Sequence, residues 1–317
     1  MSKVLVTGGA GFIGSNVADA YLARGDRVWV VDDLSSGRLQ NVSDGADFVR
    51  MDIADPGLEA LFRDVGGFDV VNHHAAQIDV RKSVADPAAD ARVNVLGLLN
   101  VLGCACRHRT RRVLFVSSGG VVYGEPEQRP TPETAPKAPL SPYGVTKLAA
   151  EYYLNYYLTV QGLEYAAMRY SNVYGPRQDP HGEAGVVAIF SERLIEGRPL
   201  TIFGDGEQTR DYVFVGDVVA ANMLLTDAAL PAAGGGVDAR AFNVGTGAET
   251  SVNELAAAVM GVAGRRVEVT CADARPGELR HSSLDASRLR ALGWAPRTSL
   301  HEGLARTYTH IAGHQQR

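Results

Sequence analysis

A tyrosine and a lysine stand four residues apart in the stretch Tyr143-Gly144-Val145-Thr146-Lys147. On a helix this spacing places both side chains on one face, within reach of one bound substrate. A phenol is a poor base at neutral pH, but a fixed ammonium beside it stabilises the phenolate. The spacing therefore predicts that Tyr143 acts as a general base and that Lys147 is its electrostatic partner.

A second candidate site lies near the N-terminus, where Val4–Gly14 reads VLVTGGAGFIG. A predicted strand runs directly into a turn that carries Gly8, Gly11 and Gly14, and a predicted helix follows over Phe12–Arg24. Glycines let the backbone approach a pyrophosphate closely, and the helix N-terminus offers free N–H groups and the positive end of a dipole. This context predicts a dinucleotide-binding turn.

The acidic residue Asp32 ends the next predicted strand, eighteen residues after Gly14. A carboxylate at this point accepts hydrogen bonds from the hydroxyls of the adenosine ribose. It also repels a 2′-phosphate, so the sequence favours NAD over NADP, although Arg38 follows in the same loop.

These residues are set in an alternation of short β-branched runs and longer amphipathic stretches. The alternation predicts βαβ units and hence an α/β fold with a parallel, doubly wound sheet. Runs such as Val113–Val116 are apolar on both faces, as expected when helices cover both sides of the sheet. The predicted strands are Lys3–Thr7, Arg27–Asp32, Asp47–Met51, Asp69–His73, Arg112–Ser117 and Glu164–Arg169.

After Arg169 the alternation loosens. Loops rich in glycine and proline separate predicted helices at Val186–Glu196, Val215–Thr226 and Val252–Ala263. Asp217 is interpreted as the N-cap of a helix over Val218–Thr226 within the second of these, rather than as a site residue.

The pattern predicts two domains. A dinucleotide-binding Rossmann domain covers 1–170, with returns from the 210–245 region, and a smaller α/β C-terminal domain covers mainly 171–317.

Composition sets further limits. The 317 residues are 45% hydrophobic and 21% charged, which is ordinary for a globular protein, and the net charge of -5 does not favour a nucleic-acid partner. Cys104, Cys106 and Cys271 form neither a disulfide framework nor a Cys-x-x-Cys metal pair, so we expect no metal. Met1 leads straight into a strand and no apolar run approaches about 20 residues, which predicts a cytoplasmic protein without a membrane segment.

The spacings Gly8-x-x-Gly11-x-x-Gly14 and Tyr143-x-x-x-Lys147 resemble those of the extended short-chain dehydrogenases/reductases of the NAD-dependent epimerase/dehydratase family. The resemblance extends from Val4 to about Trp294. It implies that Lys147 also binds the nicotinamide ribose. The cofactor contacts that it implies, together with those predicted above, are Gly8, Gly11, Phe12, Ile13, Gly14, Asp32, Asp33, Asp52, Ile53, Ala75, Ala76, Asn94, Ser117, Tyr143, Lys147 and Tyr170.

The loop after the fifth predicted strand departs from the family pattern. The family usually carries a Ser or Thr hydroxyl there, bonded to the sugar 4-oxygen, but alignment on Tyr123-Gly124 puts that position on Gly119. Either Ser118 supplies the contact as a third catalytic residue, or Tyr143 works with a water or another loop residue. Ser117 and Ser118 could also be simple hydrogen-bonding residues at the strand end.

The same loop separates the chain from neighbouring members of the family. Sugar-nucleotide 4,6-dehydratases carry Asp-Glu there as acid and base, and decarboxylating relatives usually keep the Glu. Gly119-Gly120 can do neither.

Three later stretches resemble the family's substrate-binding signatures. They imply that Asn172 contacts the nucleotide diphosphate, that Arg210 and Arg275 pair with its phosphates, and that Glu278 accepts from ribose hydroxyls. The substrate contacts implied as a set are Ser118, Gly119, Asn172, Val187, Phe203, Arg210, Tyr212, Arg275 and Glu278.

The resemblance implies 4-epimerisation of a UDP-hexose, UDP-glucose or UDP-galactose, with NAD and a transient 4-keto sugar. Alternatives left open are an epimerase of a UDP-N-acetylhexosamine, of UDP-glucuronate or of a dTDP-sugar, a 4-keto reductase, and a silent NAD-binding relative. Ser282 falls where the family can hold a bulky aromatic, which suggests room for a larger sugar substituent. The family also implies a homodimer through Ala91–Arg107 and Gly144–Gln161.

Overall fold

The computed structural model describes residues 1–180, 185–274 and 279–315 of the chain. The strands are β1 (Lys3–Thr7), β2 (Arg27–Asp32), β3 (Asp47–Arg50), β4 (Val70–His73), β5 (Arg112–Ser118), β6 (Glu164–Tyr170), β7 (Asn172–Tyr174), β8 (Leu200–Phe203), β9 (Thr209–Arg210), β10 (Tyr212–Phe214), β11 (Ala241–Val244), β12 (Thr250–Ser251), β13 (Val269–Ala272) and β14 (His281–Ser282). The α-helices are α1 (Phe12–Ala23), α2 (Leu58–Val65), α3 (Val80–Ala85), α4 (Pro87–Ala91), α5 (Leu98–Arg107), α6 (Gly119–Val122), α7 (Pro142–Gln161), α8 (Val186–Glu196), α9 (Val215–Asp227), α10 (Val252–Ala263), α11 (Ser287–Ala291) and α12 (Leu300–Gln315). A π-helical segment, Arg92–Gly97, joins α4 to α5.

Seven strands form one parallel sheet in the order β11-β6-β5-β4-β1-β2-β3. The strand order reverses at β1, which pairs with β2 on one side and with β4 on the other, so the sheet is doubly wound. This confirms the predicted α/β fold class. The six predicted strands are present, with bounds that differ by at most one residue.

The strand β11 was not predicted. It has four residues, and its third, Asn243, interrupts the apolar run that would mark a buried strand. The amide is tolerated at 0% exposure because it is fully paired: Nδ2 donates to the carbonyls of Thr131 and Asp285, and Oδ1 accepts from the Tyr123 hydroxyl.

Packed side chains cover both faces of the sheet. Leu5, Val71 and Phe115 belong to the larger core cluster, which also contains buried residues of α5 and α7. Val4 and its neighbours on the opposite face pack with residues of α1, including Tyr21. The near-continuous apolar strands that the sequence shows are thus explained.

The chain forms two compact units. The first comprises Met1–Val122, Pro139–Arg169 and Val219–Phe242, and the second comprises Tyr123–Ala138, Tyr170–Val218 and Asn243–Arg317. The second contains the pairs β7-β10 and β8-β13 and the three-stranded sheet β12-β9-β14, and in it α8, α10 and α12 pack against one another.

Buried polar contacts hold the segment that returns to the first unit. The Asn72 amide of β4 donates to Asn222 of α9, and the hydroxyls of Tyr21 and Thr226 lie 2.6 Å apart. The Arg112 guanidinium donates to the carbonyls of Leu225 and Thr226, which have no partners within the last turn of α9, and to that of Ala228 just after the helix.

The N-cap interpretation of Asp217 is wrong. The helix α9 begins at Val215, so Asp217 lies in its first turn. Its carboxylate accepts the backbone N–H groups of Arg297 and Thr298, and its carbonyl accepts the Trp294 indole N–H. A contact with a segment 80 residues further along the chain could not be read from local spacing.

The continuous helical stretch Pro87–Arg107 has 21 residues and contains an 18-residue window with a mean hydropathy of 1.2, so by length and composition alone it could cross a membrane. Leu98, Val101 and Leu102 on this stretch are fully buried in the larger core cluster of the first unit. It is therefore explained as a core helix of the Rossmann-type sheet.

Candidate active site

The turn after β1 is closed against the end of β4. Gly8 has φ +68, and a Cβ placed on it would lie 2.5 Å from the backbone nitrogen of Ala75. A Cβ on Gly14 would meet the Gly8 carbonyl oxygen. Gly8 is therefore required by conformation and by space, and Gly14 by space.

The first turn of α1 is open to an anion. Gly11 is its N-cap and provides no side-chain cap. The backbone N–H groups of Phe12, Ile13 and Gly14 have no acceptor among residues 1–180, 185–274 and 279–315. A glycine turn without side chains that leads into three free N–H groups fits the pyrophosphate of a dinucleotide.

We expect Gly8→Ala to lower the affinity for NAD by about ten-fold or more and the free energy of unfolding by about 1–2 kcal/mol or more. The methyl group would add a clash with Ala75 to the cost of a left-handed conformation. Gly25→Ala is the control, because Gly25 has φ +89 but nothing within 4 Å of its added Cβ. Calorimetric NAD titration and urea unfolding measure both effects, and equal losses in the two variants would contradict a tightly closed turn.

The Asp32 carboxylate lies at the end of β2, beside this turn. It is 7% exposed and accepts the N–H groups of Ala10 (3.0 Å) and Leu34 (2.8 Å). Burial raises the pKa of Asp32, and these two N–H groups oppose the rise. The Asp33 carboxylate instead accepts the backbone N–H and the hydroxyl of Ser35, within its own loop.

The predicted cofactor contacts Asp52 and Ile53 follow β3. The Asp52 carboxylate accepts the Ala54 N–H and pairs with Arg92 at 3.1 Å, while Ile53 is buried against Gly97. The backbone of Ile53 is in turn held by Asn100, whose amide donates to its carbonyl.

The segment after β4 carries Ala75 and Ala76 and is fixed by Asn94. The Asn94 amide exchanges two hydrogen bonds with the backbone of Gln77, each of 2.9 Å. It also donates to Asp90. The asparagine side chain is thus fully engaged with protein groups that shape the predicted cofactor segment.

His73, at the end of β4, is a buried neutral imidazole. It is 1% exposed, its Nδ1 lies 2.8 Å from the Thr7 hydroxyl and its ring stacks on Phe115. Burial lowers the pKa of His73 to about 3, and the positive charge of Lys147 adds to this effect. The adjacent imidazole of His74 behaves alike.

This predicts acid sensitivity. The unfolded imidazole titrates near 6.5, so the stability linked to a neutral His73 is fully present above about pH 6.5 and is lost as the pH falls towards 3. We expect His73→Gln to reduce the loss of unfolding free energy between about pH 7 and 5 by about 1 kcal/mol per pH unit. Urea unfolding measures it, with His301→Gln on the exposed start of α12 as control. An unchanged slope in His73→Gln would show that His73 is protonated in the folded protein.

Tyr143 and Lys147 both lie on α7. Ser141 caps this helix by accepting the Gly144 N–H, and Pro142 occupies its first turn. The Lys147 Nζ lies 5.8 Å from the centroid of the Tyr143 ring, as the spacing predicted. The tyrosine is partly exposed, whereas Lys147 is 3% exposed.

The Lys147 ammonium is held by one hydrogen bond, which Nζ donates to the Val116 carbonyl of β5 at 2.9 Å. Burial lowers the pKa of Lys147 to about 8, against the opposing negative charges of Asp90 and Glu151. The ammonium is thus fixed beside the phenol, where it can stabilise a phenolate.

The two serines at the end of β5 differ in their hydrogen bonding. The Ser117 hydroxyl is buried and donates to Glu151 at 2.5 Å. The Ser118 hydroxyl is partly exposed and has no hydrogen-bond partner in the described part of the chain. Gly119 is buried and begins the short helix α6. Ser118 is therefore the hydroxyl of this loop that remains available to a ligand.

Substrate-site predictions in the second unit fall on short strands and one helix. Asn172 in β7 donates its backbone N–H to the carbonyl of Asp211, and Arg210 in β9 donates from Nη1 to the carbonyl of Thr209. Of the other predicted substrate contacts, Val187 is buried in α8, Phe203 is partly buried in β8 and Tyr212 is buried in β10. Tyr170, which was predicted to contact the cofactor, is buried at the end of β6. Arg275 and Glu278 lie outside the described residues.

Three groups around this site were not predicted. The Ser83 hydroxyl accepts the Tyr143 N–H at 3.2 Å, the buried Asp90 accepts from Thr146, and Glu151 accepts from Ser117. Glu151 lies one turn after Lys147 on the same helix face, and that spacing was the available signal.

The open glycine turn at the head of a doubly wound sheet and the Tyr143–Lys147 pair on one helix face define a short-chain dehydrogenase/reductase. Comparison with known proteins agrees. Residues 4–245 match the NAD dependent epimerase/dehydratase family. The chain is 50% identical over 311 residues to a UDP-glucose 4-epimerase of Mycolicibacterium smegmatis, covering 96% of this chain and 97% of that protein.

Two solved structures are similar over the whole chain. One, a UDP-glucose 4-epimerase of Thermotoga maritima with UDP-glucose, has a TM-score of 0.94 at 43% identity and covers 99% of both chains. The other, a UDP-glucose 4-epimerase of Thermus thermophilus in complex with NAD, has a TM-score of 0.91 at 45% identity and covers 98% of this chain and 99% of that one. The chain belongs to the NAD-dependent epimerase/dehydratase family.

Proposed function

We propose that this protein is an NAD-dependent 4-epimerase of a UDP-hexose and interconverts UDP-glucose and UDP-galactose. The observation that carries the proposal is the fixed ammonium of Lys147 beside the Tyr143 phenol, in a chain half identical to a UDP-glucose 4-epimerase. The absence of an acidic pair at Gly119-Gly120 argues against dehydration.

In this proposal Tyr143 takes the proton of the sugar 4-hydroxyl and later returns it to the 4-oxygen of the keto sugar. The chemistry that bound NAD would supply is a hydride acceptor for C4 and then a hydride donor to the opposite face of C4, so the reaction would have no net redox change. Lys147 stabilises the phenolate and binds the nicotinamide ribose, and the free Ser118 hydroxyl bonds the sugar 4-oxygen.

The glycine turn and the first turn of α1 would hold the pyrophosphate, and Asp32 the adenosine ribose. The remaining cofactor contacts proposed are Asp33, Asp52, Ile53, Ala75, Ala76, Asn94, Ser117 and Tyr170. Ser117 and Asn94 would act by shaping the site, because their side chains are bonded to protein groups.

The diphosphate would be anchored by Arg210 and Arg275, whose forked donors suit phosphate oxygens. The other substrate contacts proposed are Gly119, Asn172, Val187, Phe203, Tyr212 and Glu278. Anchoring at the diphosphate leaves the 4-keto sugar able to turn before proton and hydride return.

The Ser118 role can be separated from that of Ser117. We expect Ser118→Ala to lower kcat by about ten-fold, because it removes one hydrogen bond at the reacting oxygen. Ser117→Ala should leave kcat nearly unchanged and lower the unfolding free energy by about 1 kcal/mol, since its hydroxyl bonds Glu151. Steady-state kinetics and urea unfolding give both values. Full activity of Ser118→Ala would assign the contact to a water or another residue.

The function is tested by incubating the purified protein with UDP-glucose, without added NAD, and following UDP-galactose by NMR. Conversion supports an epimerase that retains its cofactor. Lack of conversion with NAD supplied would favour a reductase, a dTDP-sugar enzyme or a silent NAD-binding protein.

A second candidate substrate is a UDP-N-acetylhexosamine. The observation that favours it is the small residue Ser282, 5% exposed in β14, at the position where the family can hold a bulky aromatic. A comparison of kcat/KM for UDP-glucose and UDP-N-acetylglucosamine decides between the two.

We also propose a cytoplasmic homodimer that pairs through α7. This helix exposes Tyr152 (60%), Tyr156 (49%) and Val160 (59%), and large apolar side chains in such a row are typical of an interface. Sedimentation equilibrium tests it, and a monomer would exclude it.

A further inference from the structure

Asp90, in α4, is a buried carboxylate whose partners are all neutral. It is 1% exposed. Oδ1 accepts from the amides of Gln77 (2.9 Å) and Asn94 (3.1 Å), and Oδ2 accepts from the Thr146 hydroxyl (2.7 Å). Within the described ranges no cationic side chain pairs with it. A buried charge without a counter-ion is costly unless a more distant charge offsets it.

Lys147, the residue after Thr146, is likewise a buried charged group, but its charge is positive. Its ammonium is buried, bonds only the Val116 carbonyl and pairs with no described carboxylate. Burial lowers the pKa of Lys147, and the negative charge of Asp90 is the largest influence that opposes this. Each of the two groups thus lowers the cost of burying the other.

The other charges that face Lys147 do not replace Asp90. Glu151, one turn along α7, is paired with the buried Arg169. His73 and His74, at the end of β4, are neutral because burial lowers the pKa of each to about 3. Asp90 is therefore the facing carboxylate without a cation of its own among the described residues.

The same carboxylate lies in a network that holds the start of α7. Asp90 and Asn94 fix Gln77, which begins the loop leading into α3. Within α3 itself, the Ser83 hydroxyl accepts the Tyr143 N–H. The π-helical segment Arg92–Gly97 carries Asn94, and π-bulges are frequent at functional sites.

We propose that Asp90 is the positioning residue of the Tyr143–Lys147 pair: its carboxylate is the countercharge that keeps Lys147 protonated inside the protein, and its bond to Thr146 fixes the turn of α7 that carries both. The catalytic meaning of this role rests on the proposed function, but the charge coupling does not.

The coupling is measured in the NAD-free protein by NMR of lysines labelled with ¹³C at Cε. The chain has four lysines, Lys3, Lys82, Lys137 and Lys147. Lys147→Arg assigns the signal. In Asp90→Asn we expect the Lys147 titration to move down by about one pH unit.

Two variants separate charge from hydrogen bonding. Thr146→Val removes the hydrogen bond to Asp90 Oδ2 but keeps the carboxylate. The Lys147 titration should therefore move by only a small fraction of the shift expected in Asp90→Asn. Asp86→Asn is the matched control, because Asp86 caps the same helix, α4, from its exposed end and an asparagine caps as well. If Asp90→Asn does not fold, the double variant Asp90→Leu/Thr146→Val removes the carboxylate together with its Thr146 donor, and the Lys147 titration is measured in it instead.

Measurements of turnover test the proposal independently of the NMR titration. The alkaline limb of the kcat profile should move down by the same amount in Asp90→Asn, with KM nearly unchanged. A shifted NMR titration supports the proposal even if no sugar is turned over, in which case the proposed function alone fails. An unchanged Lys147 titration in a folded Asp90 variant, or an equal shift in Thr146→Val or Asp86→Asn, would overturn it.

Discussion

Replacing Tyr143 with phenylalanine is expected to lower kcat by about three orders of magnitude while NAD binding and unfolding free energy stay unchanged. The phenyl ring keeps the shape of the site, including the face near which the Lys147 Nζ lies. Only the hydroxyl that exchanges a proton with the sugar is lost. The measurement is the initial rate of UDP-galactose formation, with the NAD content of the purified variant determined in parallel.

Tyr308→Phe is the control for this variant, because it removes the hydroxyl of a partly exposed tyrosine of α12. It should retain full activity. A Tyr143→Phe variant that keeps more than about a tenth of the wild-type kcat would mean that another group moves the proton. A variant that loses NAD together with activity would instead show that the hydroxyl serves binding.

The fold was predictable because its signals are local. Strands such as β1 and β5 are short apolar runs, and the glycine turn joins a strand to a helix as a dinucleotide site requires. The strand β11 was missed because Asn243 breaks its apolar run, and its amide is satisfied by Thr131 and Asp285, which are distant in sequence.

The parts of the candidate site that are defined by a regular spacing of residues could also be predicted from the sequence. Tyr143 and Lys147 lie on one helix face. The glycines between Gly8 and Gly14 predicted the open first turn of α1. The supporting charges were not predicted, because a polar residue on a helix is expected to be solvent-exposed until its partner is known, and the spacing of Glu151 from Lys147 was the one available signal. Asp90 and Glu151 are buried by contacts with Thr146 and Arg169, which no local pattern connects to them.

Arg169 is the clearest example of a buried charged residue whose partners the local sequence does not indicate. It lies three residues before Asn172, in the stretch that resembles a substrate-binding signature, yet its guanidinium is 0% exposed. It donates to both oxygens of Glu151, with Nη2 at 2.5 Å from Oε2, and to Asp238 at 2.9 Å. Glu151 in turn accepts from the Ser117 hydroxyl, so the arginine supports the end of β5 from inside the protein.

The variant Arg169→Met is therefore expected to lower the free energy of unfolding by about 3–5 kcal/mol. Methionine fills much of the volume but leaves the Glu151 carboxylate buried with one neutral donor, Ser117. Urea unfolding of the NAD-free protein measures the loss. Arg306→Met is the matched control: its partner Glu302 lies at 2.6 Å, but the two side chains are 57% and 49% exposed, so the loss should stay below about 1 kcal/mol.

The double variant Glu151→Met/Arg169→Met separates the value of the pair from the penalty of a stranded charge. Replacing both partners of a buried pair by apolar side chains is often close to neutral, so we expect the double variant to recover most of the stability that Arg169→Met loses. It would also leave the Ser117 hydroxyl and the Asp238 carboxylate without these partners, which limits the recovery by about 1–2 kcal/mol. A double variant as unstable as the single one would mean that the guanidinium stabilises the unit through Asp238 and packing, and that the charge of Glu151 is not what makes Arg169 necessary.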